Sequence, residues 1–321
     1  TVSRVLNNRG GVTQKTVDRI RSAMNAIGYK QTPGEARRGP KPKPKNPERS
    51  HLVLFAAFGY EDSVLRSNFY NDLSLTIEQA LTRKGCGMIT QRFLPGSHSR
   101  LNLGQADGAI FLGVPPVEIY EQTKPMIQVV GEIADGEGWD HVTYDDYQIG
   151  VLAANYLIGQ GHRHTALFGR NLERPRLKGF IDTMRMRGQE PLSFAEQPSL
   201  VRKDSRVHEI DLKELNRRLD RILAANPRPT GLYVYSDFIT VALYSALYAR
   251  GVIPGKDLDV ISCNNERSLL KPLVPRPPSI DLHLDWIGRN AVERLLYRMQ
   301  QPMDPVAQFV CRPTLSRRPS V

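Results

Sequence analysis

Thr1-Val2-Ser3-Arg4-Val5-Leu6-Asn7-Asn8-Arg9-Gly10-Gly11-Val12-Thr13 is the stretch on which the reading of this chain turns. Val2, Val5 and Leu6 recur at three- and four-residue spacing, so they share one face of a short helix. Ser3, Arg4 and Asn7 point elsewhere. Hydroxyl, guanidinium and amide groups of this kind suit phosphate oxygens and base edges. Gly10-Gly11 break the helix, and Thr13 is a good N-cap for the next one, with Val12 before it as the staple residue. Val17, Ile20, Met24 and Ile27 then step by three, four and three residues until Gly28 stops the helix. A surface helix carrying one Arg is ordinary by itself.

The charge around these helices is not ordinary. Residues 1–50 hold twelve basic and three acidic groups, so they supply +9 of the formal net charge of +11. A strongly basic arm on a nearly neutral body is the footprint of nucleic-acid binding. A solvated tail would explain the charge but not the helical pattern inside it.

The stretch TVSRVLNNRGGVTQKTVDRIRSAMNAIGY closely resembles the LacI/GalR family of bacterial transcription regulators. In that family TVSRVLN is the recognition helix of a helix-turn-helix unit, and VTQKTVDRIRSAMNAIGY matches the third helix. The resemblance places a further helix before Thr1, so residues 1–28 are expected to be a partial helix-turn-helix domain. It implies that Arg4 reads a base, with guanine O6/N7 the expected partner. Thr1, Ser3, Asn7 and Thr13 are expected to contact DNA as well, the last three at phosphates.

Residues 29–50 read as a linker. Arg37-Arg38-Gly39-Pro40-Lys41-Pro42-Lys43-Pro44-Lys45 cannot be an α-helix, because each Pro removes a donor and restricts the residue before it. An extended, cationic polyproline II conformer is expected. Family members carry a hinge helix here, whose Leu wedges into the minor groove. Ala36-Arg37 matches the family's Ala-Arg pair, but the Leu position falls on Gly39. Arg37, Arg38, Lys41 and Lys43 are therefore read as electrostatic DNA contacts.

From residue 51 strands alternate with helices. His51–Ala57, Gly87–Thr90, Asp107–Leu112, Met126–Val130, Thr165–Phe168, Gly231–Tyr235 and Leu258–Ser262 are short apolar runs, read as buried parallel strands. Helical periodicity spans Phe69–Lys84, Gly150–Gly161 and about Phe238–Arg250. Further family matches are Asp107-Gly108, Gly161-His162-Arg163, Arg176-Leu-Lys-Gly179-Phe180, Gly251-Val-Ile-Pro254 and Pro313-Thr-Leu315. The stretch from about Gln189 to Arg221 is the hardest to read. The resemblance implies an α/β, periplasmic-binding-protein-like core of two Rossmann-like lobes joined by three crossovers. The first lobe is expected over about 51–156 and 284–308, the second over about 157–283 and 309–321.

The same resemblance implies an effector cleft between the lobes. Arg176 falls at the family's cleft Arg, and a guanidinium offers a planar fork of donors to hydroxyls, carboxylates or phosphates. Asp145 matches a position that often touches effector, but it can equally cap the following helix. Ser236 and Asn264 match ligand-reaching positions, Asn264 replacing the family's carboxylate with an amide. That exchange suggests an effector carrying negative charge. Phe69 and Tyr70 match positions where aromatics stack on ligand, although either can be core.

Several classes are disfavoured. Hydrophobic content of 40% and charged content of 24% are ordinary for a globular protein, and no apolar run approaches a membrane span. Cys86, Cys263 and Cys311 have neither metal-ligand nor disulfide spacing, which fits a reducing cytoplasm. His162 and His164 have the spacing of strand metal ligands, but no third ligand is in view. No catalytic set or cofactor motif is found, so neither enzyme activity nor a cofactor is expected. The expected function is a ligand-responsive transcription repressor. Its expected partners are operator DNA, a small effector (sugar, sugar acid, polyol or nucleoside-like) and a second copy of itself. The alternative is a solute-binding protein that has kept only the core.

Overall fold

The computed structural model describes residues 2, 5, 10–28, 50–58, 65, 67–93, 103–113, 124–131, 138–169, 174–193 and 209–316. The expected DNA contacts Thr1, Ser3, Arg4, Asn7, Arg37, Arg38, Lys41 and Lys43 lie outside these residues, as does the linker up to Arg49. The chain forms two compact units, Thr1–Arg49 and Ser50–Val321.

In the first unit α1 runs Gln14–Ala26. Thr13 is at the N-cap, but its hydroxyl pairs with Thr16 Oγ1 at 2.9 Å and caps no backbone N–H. The apolar stripe is present, yet Val17, Ile20 and Met24 are only half-buried and Ile27 is 77% exposed. Gly28 ends the segment at φ +66°, a conformation that costs Gly little.

The second unit contains two sheets. The first has strand order β10-β5-β4-β3-β1-β2 and is parallel throughout. Its strands are β1 (Leu52–Phe58), β2 (Gly87–Phe93), β3 (Gly108–Leu112), β4 (Met126–Val129), β5 (Asp140–Tyr144) and β10 (Gln308–Cys311). Period-two alternation explains why β1 is apolar at every position. Val53, Phe55 and Ala57 face one core, while Leu54, Ala56 and Phe58 face another. The helices α2 (Asn68–Arg83) and α8 (Leu284–Gln300) cover the first of these faces. Asp140, buried at the start of β5, binds Arg294 and Arg298 of α8 and the Ala307 backbone N–H.

The second sheet has order β11-β9-β8-β7-β6. Its strands are β6 (Thr165–Phe168), β7 (Gly231–Val234), β8 (Asp259–Asn264), β9 (Ser279–Asp281) and β11 (Thr314–Ser316), the last antiparallel to β9. One face packs on α3 (Asp146–Gly159) and α4 (Pro175–Arg185), the other on α5 (Leu212–Leu223) and α6 (Asp237–Tyr248). A short α7 (Arg267–Leu270) follows β8.

The lobe boundaries differ from the sequence expectation in two places. The chain first leaves lobe 1 at Asp145, not near residue 156, because Asp145 caps α3 and α3 packs in lobe 2. It last crosses at Arg312, not after residue 308, because β10 pairs with His141–Tyr144 of β5. The middle crossover is His283, at φ +55°. The crossovers are cross-linked: the Asp145 N–H donates to the Cys311 carbonyl at 3.0 Å, and His283 Nε2 meets Thr314 Oγ1 at 2.8 Å.

The stretch that resisted sequence reading contains α5. Leu215, Leu219 and Ile222 point inward at helical spacing, and Asp211 caps by accepting from the Glu214 N–H at 3.0 Å. Arg218 sits wholly inside this face, bonded to Glu214 Oε1 and the Gly169 carbonyl. Paired arginines in the sequence suggest a surface, and only the partners explain the burial.

Candidate functional site

Strand ends and helix starts converge where the lobes meet. The N-termini of α3, α4 and α6 lie at the C-terminal edge of the second sheet, and α2 begins on the first lobe beside them. Open α/β sheets bind ligands at this edge. Phe69, Tyr144 and Leu284 each pack against the cores of both lobes and so form the floor between them.

Arg176 is the centre of this region, and it is buried. Its Nε donates to Asp146 Oδ1 at 2.7 Å, and its backbone N–H to Asp146 Oδ2 at 3.2 Å. Nη1 donates to the Tyr235 carbonyl at 3.2 Å and approaches Cys263 Sγ at 3.5 Å. Nη2 donates to the hydroxyl of Tyr144, the last residue of β5, at 3.2 Å. Burial pushes the Cys263 thiol up to about 12, against the nearby Arg176 charge, so it stays a neutral thiol.

Glycine makes this arrangement possible. A Cβ on Gly150 of α3 would overlap the Arg176 carbonyl and the Phe180 N–H of α4, and one on Gly179 would overlap the Tyr147 carbonyl. The two helices therefore pack backbone to backbone, which sets Arg176 beside Asp146.

The other expected site residues divide. Asp145 accepts from the Gln148 N–H at 2.9 Å and is the N-cap of α3; its neighbour Asp146 is the partner of Arg176. Phe69 is half-buried at the floor, but Tyr70 faces the lobe 1 core, 2% exposed and stacked on Phe55 at 5.7 Å. Tyr70 is therefore a core residue and not a stacking platform. The helical turn separates the two neighbours by about 100°. Ser236 is at the N-cap of α6 with no side-chain capping bond. Asn264 ends β8 at φ +105° and donates through Nδ2 to Glu266 Oε1 at 2.8 Å.

Sequence reading missed the polar network beneath Asn264. Asp237 is fully buried and accepts from the Ser262 and Ser279 hydroxyls and from the Glu266 N–H. Burial raises its carboxyl to about 7, although these donors favour the ionised form. Glu266 is 6% exposed, and burial raises its carboxyl too, opposed by the bonds from Asn264 and from Asn68 of α2. Asp237 follows Ser236 where a helix starts, and an acid there ordinarily reads as a cap. Nothing in its spacing marks the bonds to residues 25 to 42 positions away.

His162 lies elsewhere, with Nδ1 on Thr230 Oγ1 at 3.0 Å and Nε2 on Asp259 Oδ2 at 3.4 Å. Among the described residues no His, Cys, Asp and Glu group could hold a metal ion. An open cavity of about 460 Å³ lies beside Arg228, Thr230, Arg250 and Asp257. It sits past the C-terminus of α6, away from the converging helix starts, and Arg250 there is already bonded to Asp220.

Residues 154–321 match the periplasmic binding protein-like domain family, and residues 1–31 match the bacterial regulatory proteins of the lacI family. The chain belongs to the LacI family of bacterial transcription regulators. This LacI-family chain is 25% identical to the HTH-type transcriptional regulator DegA of Bacillus subtilis (strain 168) over 292 residues, 83% of this chain and 77% of that one. It is 26% identical to the HTH-type transcriptional repressor PurR of Escherichia fergusonii over 209 residues, 64% of this chain and 58% of PurR. The chain thus spans less than two thirds of PurR's length. The crystal structure of a LacI family transcriptional regulator from Enterococcus faecium with bound ribose shares the fold. Its TM-score is 0.66 at 18% identity, covering 83% of this chain and 97% of that one. No helix among the described residues is long and apolar enough to cross a membrane.

Proposed function

We propose that this chain is a ligand-responsive, sequence-specific DNA-binding repressor that acts as a homodimer in the cytoplasm and has no enzymatic role. One observation carries the reading: a lacI-family segment at residues 1–31 precedes a periplasmic-binding-protein-like core in the same chain. The basic charge of residues 1–50 supports DNA over a solute-binding role. Arg4 is the proposed base contact and Thr1, Ser3, Asn7 and Thr13 the supporting ones, with Arg37, Arg38, Lys41 and Lys43 along the backbone.

The effector site is proposed between the lobes, over Phe69, with Arg176, Ser236 and Asn264 as polar contacts and Asp145 holding the start of α3. The ribose of the Enterococcus faecium relative supports a sugar or a similarly hydroxylated effector, sugar acids, polyols and nucleosides included. Such a ligand acts only through its different affinity for two lobe arrangements. Arg176 is suited to sense that difference, since it bonds Asp146 of one lobe and Tyr144 at the end of the other.

Selection from a random double-stranded DNA library tests the reading. The expected result is enrichment of a two-fold symmetric site whose retention changes when sugars, polyols or nucleosides are added. Enrichment no greater than that of a generic polycation would overturn it.

A further inference from the structure

The turn after β8 is strained and braced in an unusual way. Asn264 and Asn265 are consecutive non-glycine residues at φ +105° and +54°. Residues held in such regions cost free energy and cluster at functional sites. Neighbouring segments brace the turn. The Glu266 N–H donates to Asp237 at 2.7 Å, the Asn265 N–H to Ser279 Oγ at 3.0 Å, and Asn265 Nδ2 to Asp281 Oδ2 at 2.8 Å. Arg276 donates to Asn265 Oδ1 at 3.3 Å.

These braces hold Asn265 and Glu266, and among the described residues the Asn264 side chain has one bond, Nδ2 to Glu266 Oε1 at 2.8 Å. A carboxylate only accepts, so the amide must present its NH₂ to Glu266 and turn its oxygen away. Among the described residues Asn264 Oδ1 has no hydrogen-bond partner. Asn264 is half-buried, at the strand edge where the lobes meet. Glu266 is itself held by its backbone N–H on Asp237, and Asn68 of the opposite lobe lies close enough to favour its ionised form.

We infer that Glu266 is a positioning residue that locks the Asn264 amide with Oδ1 facing the cleft, so that the site selects effectors offering a hydrogen-bond donor, a hydroxyl or an amino group, at that point. The inference rests on the effector reading of the cleft. It reverses the sequence expectation of an anionic effector. Replacing a carboxylate by Asn264 does not make the subsite a donor, because Glu266 consumes the donor half of the amide. Asp72 lies close enough to raise the Glu266 carboxyl further, and its charge also disfavours an anion.

Two measurements on the full chain test this. The side-chain amide pair of Asn264 is assigned in ¹⁵N spectra by its loss in Asn264→Asp. It should be slow to exchange and should shift and lose protection in Glu266→Gln. Glu266→Asp, which keeps the charge but shortens the reach, should do the same if Glu266→Gln does not fold. An amide pair that ignores both substitutions would overturn the inference. The second measurement compares D-glucose, D-glucosamine and D-gluconate as matched neutral, cationic and anionic probes. Glucose or glucosamine should bind more tightly than gluconate, and Glu266→Gln should weaken the better one by about three- to tenfold. Tightest binding of gluconate would overturn the donor preference. If none of the three binds, the hexose reading of the cleft fails and with it the donor preference tested on it, while the amide spectrum still decides what Glu266 does.

Discussion

Asp146 holds Arg176 twice, through Nε at 2.7 Å and through the backbone N–H at 3.2 Å, and so ties the first turn of α3 to the first turn of α4. One carboxylate thereby fixes both the position and the side-chain direction of the proposed effector contact. The Arg176 side chain is 8% exposed and that of Asp146 25%.

Asp146→Asn should therefore lower stability by about 1.5–3 kcal/mol, the worth of a charged hydrogen bond. Arg176→Ala should do at least as much harm, since it also strips Tyr144 and the Tyr235 carbonyl of a donor. Arg176→Lys is the better probe of effector binding, because it keeps the charge and loses the planar fork. Thermal unfolding and effector titration of all three variants separate the roles. An Asp146→Asn variant as stable as the parent would show the pair to be incidental.

Gly150→Ala should destabilise the second lobe by about 1–3 kcal/mol, the usual cost of overpacking. The added methyl would meet backbone atoms of Arg176 and Phe180, which cannot rotate away as a side chain tip can. Gly159→Ala in the same helix meets nothing within 4 Å and serves as the control. Equal melting temperatures for the two variants would refute the backbone-contact account.

Asp140→Asn should cost about 3–5 kcal/mol, because it leaves Arg294 and Arg298 without their counter-charge. Burial alone would raise the Asp140 carboxyl, but the bonds from Arg298, Arg294 and the Ala307 N–H hold it below the usual carboxylate range. Its stabilisation is present above the unfolded pKa of about 4 and fades as pH falls through the lower folded value. The variant's stability should vary less with pH in the acid limb, read from unfolding between about pH 2 and 4.

Asp237 has the opposite sign. Its folded pKa is about 7. Between about pH 4 and 7 the folded chain keeps a proton that the unfolded chain releases, so this group makes stability fall as pH rises. Asp237→Asn should flatten that fall in a melting-temperature profile from pH 5 to 8. An unaltered slope would assign the pH dependence to other groups.

Lys41, Lys43 and Lys45 lie outside the described residues, so a prediction about them rests on charge and on Pro40, Pro42 and Pro44. Their replacement by Ala should flatten the slope of log K against log salt by up to about two to three units, with base preference kept. A sharp central DNA kink in a bending assay would instead point to a wedge.

The sequence determined what is local or periodic. The apolar run of β1, the Gly85 stop after α2, and the α3–α4 motif with Gly179 are legible because they depend on neighbours a few residues away. The match at residues 1–31 was legible for the same reason, a contiguous pattern of residue types. Tertiary structure decided what depends on partners far along the chain. Asp145 and Asp146 are adjacent acids after a strand, and only the approach of α4 makes one a cap and the other an ion-pair partner. Phe69 and Tyr70 are adjacent aromatics, and the direction of α2 across the sheet sends one to the floor between the lobes and the other into the core. Asn264 reads as a lost carboxylate until Glu266, two residues on, is seen to take its NH₂ group. Burial and hydrogen-bond direction belong to the packed molecule, and the same side chain carries a different chemistry once its partners are fixed.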